Sequence, residues 1–327
     1  MKWQTNIRRL QIDITSYCNA KCPGCARNIN GNETVDFLKL NHFDVEIWNR
    51  LATDDLKDTR LETLTLNGNW GDCGMHPYLP DMLQTFIDNH PNTAIFLATN
   101  GGMHKTSWWE KLGNVLSKSA SHIVAFAVDG LKDTNHLYRR NINFDKVVAN
   151  IKSFVKGNGR AQIVFTVFDH NKHQINEIIA LGKELGCAEV RIRKSFDEYM
   201  EVITDSETYA VTSNYDKDDI LYIVNEVDEI SKPVPYKYAE EQKTKCPWYN
   251  VGEIQIDPWG NVWPCCHISN IQFDNDKSTY KITNNKDKFN LRNNNLKTIL
   301  GNEYFNVTLN NAVRCGTWQV CKDSCDV

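Results

Sequence analysis

The run Tyr17-Cys18-Asn19-Ala20-Lys21-Cys22-Pro23-Gly24-Cys25 places three thiols on one short loop. Directly before it, Leu10-Gln11-Ile12-Asp13-Ile14-Thr15 alternates apolar and polar residues, which is the period of a strand. The spacing C-x3-C-x2-C is one ligand short of the four thiolates that usually hold a [4Fe–4S] cluster. A structural zinc would ask for a fourth Cys or His, and none lies nearby in the sequence. The spacing therefore favours a cluster with one iron open to a non-protein ligand. Zinc, or a distant fourth ligand, is the alternative.

Outward from this loop, strand and helix patterns alternate. After the first strand, helices are expected near 43–56, 79–89, 107–117, 144–155 and 175–185, and strands over 61–66, 93–99, 123–128, 161–167 and 190–193. Val147, Val148, Ile151, Phe154 and Val155, for example, follow helical spacing. Six strand–helix units predict parallel strands covered by helices, an α/β chain curled into a partial (β/α)6 TIM-like barrel. In barrels the chemistry sits at the C-terminal strand ends. The cysteine loop, Gly71-Asp72, Asn100-Gly101 and Asp129-Gly130 all follow strands, so one face is expected to gather them.

Residues 1–195 are read as the barrel. Residues 196–245 are acidic and tyrosine-rich, and are read as a connecting helical region with a helix near Asp219 to Ile230. Residues 246–327 are read as a small cluster-binding domain. There, Glu253 to Asp257 and Asn261 to Trp263 flank Pro258-Trp259-Gly260 as a β-hairpin, and Asn270 to Lys297 reads as a solvated loop.

The chain has 327 residues and a net charge of −4, so its charge does not call for a nucleic-acid partner. Its polar start does not resemble a signal peptide, and no apolar run reaches the roughly 18 residues needed to span a bilayer. The 11 cysteines are odd in number and mostly clustered near the two ends, which fits metal binding in a reducing compartment better than a disulfide scaffold. The expected setting is cytoplasmic, without a membrane. Cys187, after Leu-Gly at a helix end, is read as a small buried hydrophobe.

Together with its strand context, the cysteine loop resembles the signature of the radical S-adenosylmethionine (SAM) superfamily. The resemblance spans about residues 8–195. It implies that Cys18, Cys22 and Cys25 hold a [4Fe–4S] cluster whose open iron is chelated by SAM. It implies reductive cleavage of SAM to a 5′-deoxyadenosyl radical that abstracts hydrogen from a substrate, with the cofactor carrying the chemistry and the protein orienting it. Gly68-Asn69-Trp70-Gly71-Asp72 stands where the family has a Gly-Gly-Glu motif, with Asp72 in place of glutamate as acceptor for the SAM ammonium. Asn100, Asp129 and Arg139 resemble further cofactor-binding positions, and Ala127 stands where serine is common. Arg139 would pair with the SAM carboxylate. Arg140 is its equal by sequence, and a surface arginine or a plain Gly-rich turn is the bland reading of each motif.

Near the C-terminus, Cys246, Gly260 and Cys265 are spaced Cys-x13-Gly-x4-Cys, and Cys315, Cys321 and Cys325 are spaced Cys-x5-Cys-x3-Cys. This is similar to the SPASM/Twitch extension of radical SAM enzymes, with Ala312 where the two-cluster version has a cysteine. The thiols are too few for two fully ligated cubanes, so one auxiliary [4Fe–4S] cluster is expected, with structural zinc as the alternative. Cys246 and Cys265 are expected ligands, joined by two of Cys315, Cys321 and Cys325. Cys266 is expected to pack or face away.

The expected activity is an oxidoreductase-like radical reaction on a small-molecule or peptide substrate: oxidation, epimerisation or bond formation. The resemblance implies a flavodoxin- or ferredoxin-type electron donor. Strand 1 begins by about residue 8, which tilts the substrate toward a small molecule. A peptide-modifying enzyme, and a non-catalytic iron–sulfur or zinc protein acting in electron transfer or binding, are the alternatives. Arg191, Arg193 and Lys194 at the end of the sixth strand are candidates to face an anionic group.

Overall fold

Short alternating or apolar runs, each followed by a helix, set the architecture. The computed structural model describes residues 3, 6–225, 246–270, 287–315 and 321. β1 (Arg9–Ile12) feeds the cysteine loop, which ends in a small antiparallel hairpin of β2 (Asn28–Ile29) and β3 (Glu33–Thr34). The chain then alternates α1 (Val45–Arg50), β4 (Thr63–Leu66), α2 (Leu79–Asn89), β5 (Ala94–Thr99), α3 (Thr106–Leu116) and β6 (Ser121–Ala127). α4 (Asn135–Tyr138), α5 (Phe144–Lys156), β7 (Ala161–Val167), α6 (Ile175–Glu184) and β8 (Glu189–Lys194) complete the series.

β1 and β4 to β8 pair in parallel in the order β8-β7-β6-β5-β4-β1, as six strand–helix units require. Leu10, Ile12, Leu64, Leu66, Ile95, Leu97, Ile163 and Phe165 are fully buried in the core beneath the helices. α5 illustrates the local logic. Asn143 caps it, accepting from the Lys146 N–H at 2.9 Å, and Val147, Ile151 and Phe154 bury one stripe.

The described part of the connecting region is strand. β9 (Tyr199–Ile203) and β10 (Thr208–Thr212) form a separate hairpin, and β11 (Ile220–Ile223) adds antiparallel to β8 at the edge of the large sheet. The helix expected from Asp219 is thus corrected: Ile220 to Ile223 are drawn into sheet pairing, which overrides their helical spacing. Residues 226–230 of that expected helix lie outside the described residues.

Further along, α7 (Pro247–Val251) precedes β12 (Glu253–Ile256), and β13 (Val262–Trp263) returns from it as the expected hairpin. Gly260 makes the turn at φ +90°, which an L side chain resists. β12 also pairs in parallel with β1, Arg9 opposite Glu253 through Ile12 opposite Ile256. The hairpin is therefore part of the large sheet, whose order among the described residues is β11-β8-β7-β6-β5-β4-β1-β12-β13, an open sheet there. α8 (Cys266–Asn270), α9 (Leu296–Gly301) and α10 (Leu309–Cys315) follow. The loop expected to be solvated up to Lys297 differs in its described part: Phe289 and Leu291 are buried, and helix begins at Leu296.

One face of the sheet is polar where β4, β1 and β12 lie side by side. Register places Arg9, Gln11, Thr63, Thr65, Glu253 and Gln255 side by side across three strands. Glu253 is 7% exposed, and burial lifts its carboxyl from the ordinary 4.5 to about 7, against the pull of Arg9. A carboxyl raised on folding takes up a proton, so its stabilising contribution is full below pH 4.5 and fades as pH climbs through about 7. Glu253→Gln is expected to gain on the wild type across that window, by about 1–3 kcal/mol at its upper end, as read by urea unfolding at pH 5 and pH 8.

Candidate active site

A cavity of about 470 Å³ opens at the C-terminal ends of the parallel strands. It is bordered by Cys18, Cys22 and Cys25 and by residues of the loops after β4, β5 and β6. Of the positions the sequence expected on one face, the three cysteines, Gly71, Asp72 and Asn100 border the cavity, while Asp129 does not and meets it through Arg139. Asn67, Gln162, Thr166, Arg191 and Arg193 border it as well.

The cysteine loop is clamped by backbone contacts that only a glycine permits. The Asp72 N–H donates to the Tyr17 carbonyl at 2.9 Å, and a Cβ on Gly71 would meet the Thr15 oxygen at 2.2 Å. The Cys18 sulfur accepts from the Ala20 N–H at 3.4 Å, and Arg139 donates to the Cys22 sulfur at 3.5 Å. Burial pushes the Cys18 thiol up to about 12, and burial raises Cys22 too, against the pull of Arg139. Thiols held this way ionise against the charge of a bound metal.

Among the described residues, no three Cys, His, Asp or Glu side chains gather as a single metal ion requires. A cubane takes each thiolate on a separate iron, and three thiolates leave one iron for another ligand. N–H donors to sulfur, the polar cavity and the three-thiol donor set all fit an iron–sulfur cluster with a polar ligand beside it.

Asp72 is buried and its oxygens are already engaged. Oδ1 accepts from the Gly74 N–H at 3.0 Å and the Thr99 hydroxyl at 2.8 Å, and Oδ2 accepts from the Asn100 backbone and side-chain N–H groups at 2.7 Å each. Burial raises its pKa against these bonds. The carboxylate thus ties the β4 loop to the β5 loop and sets the Asn100 amide, which also donates to Asn19 at 2.9 Å. Asp129 is equally occupied. It is fully buried, accepts from the Thr166 N–H at 2.6 Å, and pairs with Arg139 Nε at 2.5 Å. The pair aims Arg139 at the cysteine loop, and the Asp129 charge keeps the guanidinium protonated despite burial.

At the other site, Cys246, Cys265 and Cys321 border one small cavity of about 20 Å³, walled by Trp3, Tyr249 and Ile268. Cys246 caps α7, its sulfur accepting from the Tyr249 N–H at 3.5 Å. Cys266 does not border this cavity. Burial, with Asp13 and Glu253 adding, pushes its thiol up to about 12. The Cys315 side chain and Cys325 lie outside the described residues. Cys73 and Cys187 are buried, as packing residues are.

The sequence reading passed over Arg27, Asn67, Gln162 and Thr166. Strand alternation could have found Gln162 and Thr166, which share a face of β7. Arg27 stands two residues after Cys25, and only its burial marks it out. Of the three basic residues ending β8, Arg191 and Arg193 border the cavity while Lys194 is exposed on the alternate face.

No family profile and no curated sequence matches this chain. Solved structures do. SuiB of Streptococcus suis bound to S-adenosylmethionine is 15% identical with a TM-score of 0.61, over 97% of this chain and 72% of that one. The same enzyme bound to precursor peptide SuiA is 13% identical at 0.58, over 92% and 66%. The tagged anSMEcpe with bound AdoMet is 14% identical at 0.54, over 97% and 83%. This chain therefore has the fold of the radical SAM enzymes, a partial barrel of mostly parallel strands.

Proposed function

We propose that this protein is a radical SAM enzyme, which reductively cleaves SAM and takes a hydrogen atom from an organic substrate. The observation that carries this reading is the three-thiol loop bordering the cavity at the C-terminal strand ends, with Arg139 held against Cys22 by Asp129. Cys18, Cys22 and Cys25 would hold the cluster. When bound with SAM, such a cluster supplies the electron that breaks the sulfonium C–S bond.

The chain's own residues do the rest. Arg139 has donors left beyond Asp129 and Cys22 to meet the SAM carboxylate. Gly71 and Asn100 border the cavity where the polar end of SAM would lie. Asp72 and Asp129 act through their neighbours, holding the loops and Arg139 in register. We assign Cys246, Cys265 and Cys321, with Cys315 or Cys325, to one auxiliary [4Fe–4S] cluster. A cytoplasmic setting and a flavodoxin- or ferredoxin-type donor go with this reading.

The substrate would enter on the β8 side, where Arg193 and the 88% exposed Phe196 border the cavity mouth. Arg191 is paired with Asp219 at 2.7 Å, whereas Arg193 lies over the Phe196 ring, 5.1 Å from its centroid. A peptide is the second reading, supported by the structures of SuiB with SuiA and of anSMEcpe with the Kp18Cys peptide. A chain laid across this mouth would present one side chain to the cavity.

The test is anaerobic reconstitution with iron and sulfide, then SAM and dithionite. Formation of 5′-deoxyadenosine and methionine is expected. An iron-loaded protein that leaves SAM intact would instead be an electron-transfer or binding module.

A further inference from the structure

Arg27 and Arg160 are the two most deeply buried arginines among the described residues, at 4% and 6% exposed. Arg160 pairs with the buried carboxylate of Glu189. Arg27 pairs with no carboxylate among the described residues. Its Nη1 donates to the Ser16 and Trp70 carbonyls at 2.5 Å each, and its Nε has no partner. Two neutral carbonyls orient the guanidinium without neutralising it. A cation desolvated in this way is costly unless an anion stands beside it. Yet the side chain borders the cavity, two residues beyond Cys25, within electrostatic reach of Cys18.

We propose that Arg27 is the built-in counter-charge of the anionic, thiolate-bound cluster at the Cys18–Cys22–Cys25 loop, and so a positioning residue for that group. This rests on the radical SAM reading above. The iron-free chain carries the unpaired cation at a cost, and loading the cluster relieves it. Removing the charge should therefore help the empty protein and harm the loaded one, a pair of signs that a merely structural tether would not give.

The experiment compares Arg27→Gln and Arg27→Lys with the wild type. Gln keeps an amide donor for the two carbonyls and drops the charge, while Lys keeps the charge. Iron-free protein is melted by circular dichroism. Reconstituted protein is exposed to an iron chelator, and the reduced-cluster EPR signal that responds to SAM is followed over time. R27Q is expected to melt at or above the wild type when iron-free, and to lose the signal about tenfold faster or more when loaded. R27K is expected to retain the signal as the wild type does.

A lower iron-free melting temperature for R27Q, a wild-type rate of signal loss in R27Q, or equal loss in R27K each overturns the proposal. A wild-type chain that takes up no iron overturns the radical SAM reading along with it. A loaded wild type matched by R27Q overturns the Arg27 proposal alone.

Discussion

Replacing Cys18, Cys22 and Cys25 together by alanine is expected to abolish 5′-deoxyadenosine formation and to leave about 4 Fe per chain at the C-terminal site. The two sites are held by different parts of the chain. The N-terminal trio borders the large cavity, and Cys246, Cys265 and Cys321 border a separate small one. The loop should keep its shape, because the Asp72 N–H bond to Tyr17, the Gly71 contact and the Arg27 bonds do not involve sulfur. Iron and sulfide analysis, with product formation by chromatography, checks both halves. Residual product would place SAM cleavage elsewhere. Loss of all iron, or zinc in its place, would overturn the auxiliary cluster while leaving the first site standing.

The second large effect concerns the pair beside that loop. Arg139→Ala is expected to lower the unfolding free energy by about 3–5 kcal/mol, because it strands the buried Asp129 carboxylate. The environment of Asp129 offers no easy relaxation. Its Oδ1 is held by the Thr166 N–H, its own N–H donates to Asn135, and its carbonyl accepts from Asn171. Pairing Arg139→Met with Asp129→Asn removes both charges and should recover much of the loss. Urea unfolding of the single and double variants measures this. A double variant no more stable than the single would show that the loss comes from packing around Arg139. On the radical SAM reading, SAM binding should weaken in either variant too, since the guanidinium proposed to meet its carboxylate is gone.

The six parallel strands were legible because each is a short alternating or apolar run, as Leu10 to Thr15 and Ile123 to Val128 are, and each ends in a recognisable loop. The cysteine spacing, Gly71-Asp72, Asn100 and Asp129 could be placed on one face from that pattern alone. What those residues bond to could not. Asp72 and Asp129 read as acceptors for a ligand, yet in the fold their oxygens answer to Gly74, Thr99, Asn100, Thr166 and Arg139. A carboxylate's capacity is visible in a sequence, whereas the donors that fill it come from loops distant along the chain. Ile220 to Ile223 failed for a related reason: sheet-edge pairing with β8 outweighed a spacing equally suited to a helix. The union of β12 with β1 was hidden because a hairpin's pattern names its own partner and not the next one. Glu253-Ile254-Gln255-Ile256 is buried on both sides as an inner strand is, yet its sequence alternates as a one-sided strand does.

That union bears on how the protein is made. Asp13 and Gln255, which bond at 3.1 Å, are 242 positions apart. At roughly 5–20 residues per second, the ribosome needs tens of seconds or so to deliver the second after the first. Throughout that interval the outer rim of the opening strand has nothing to zip against and is exposed to any stray extended peptide. Biogenesis should thus be most vulnerable at this seam, and nascent chains halted before residue 253 should be the ones that engage holdase chaperones.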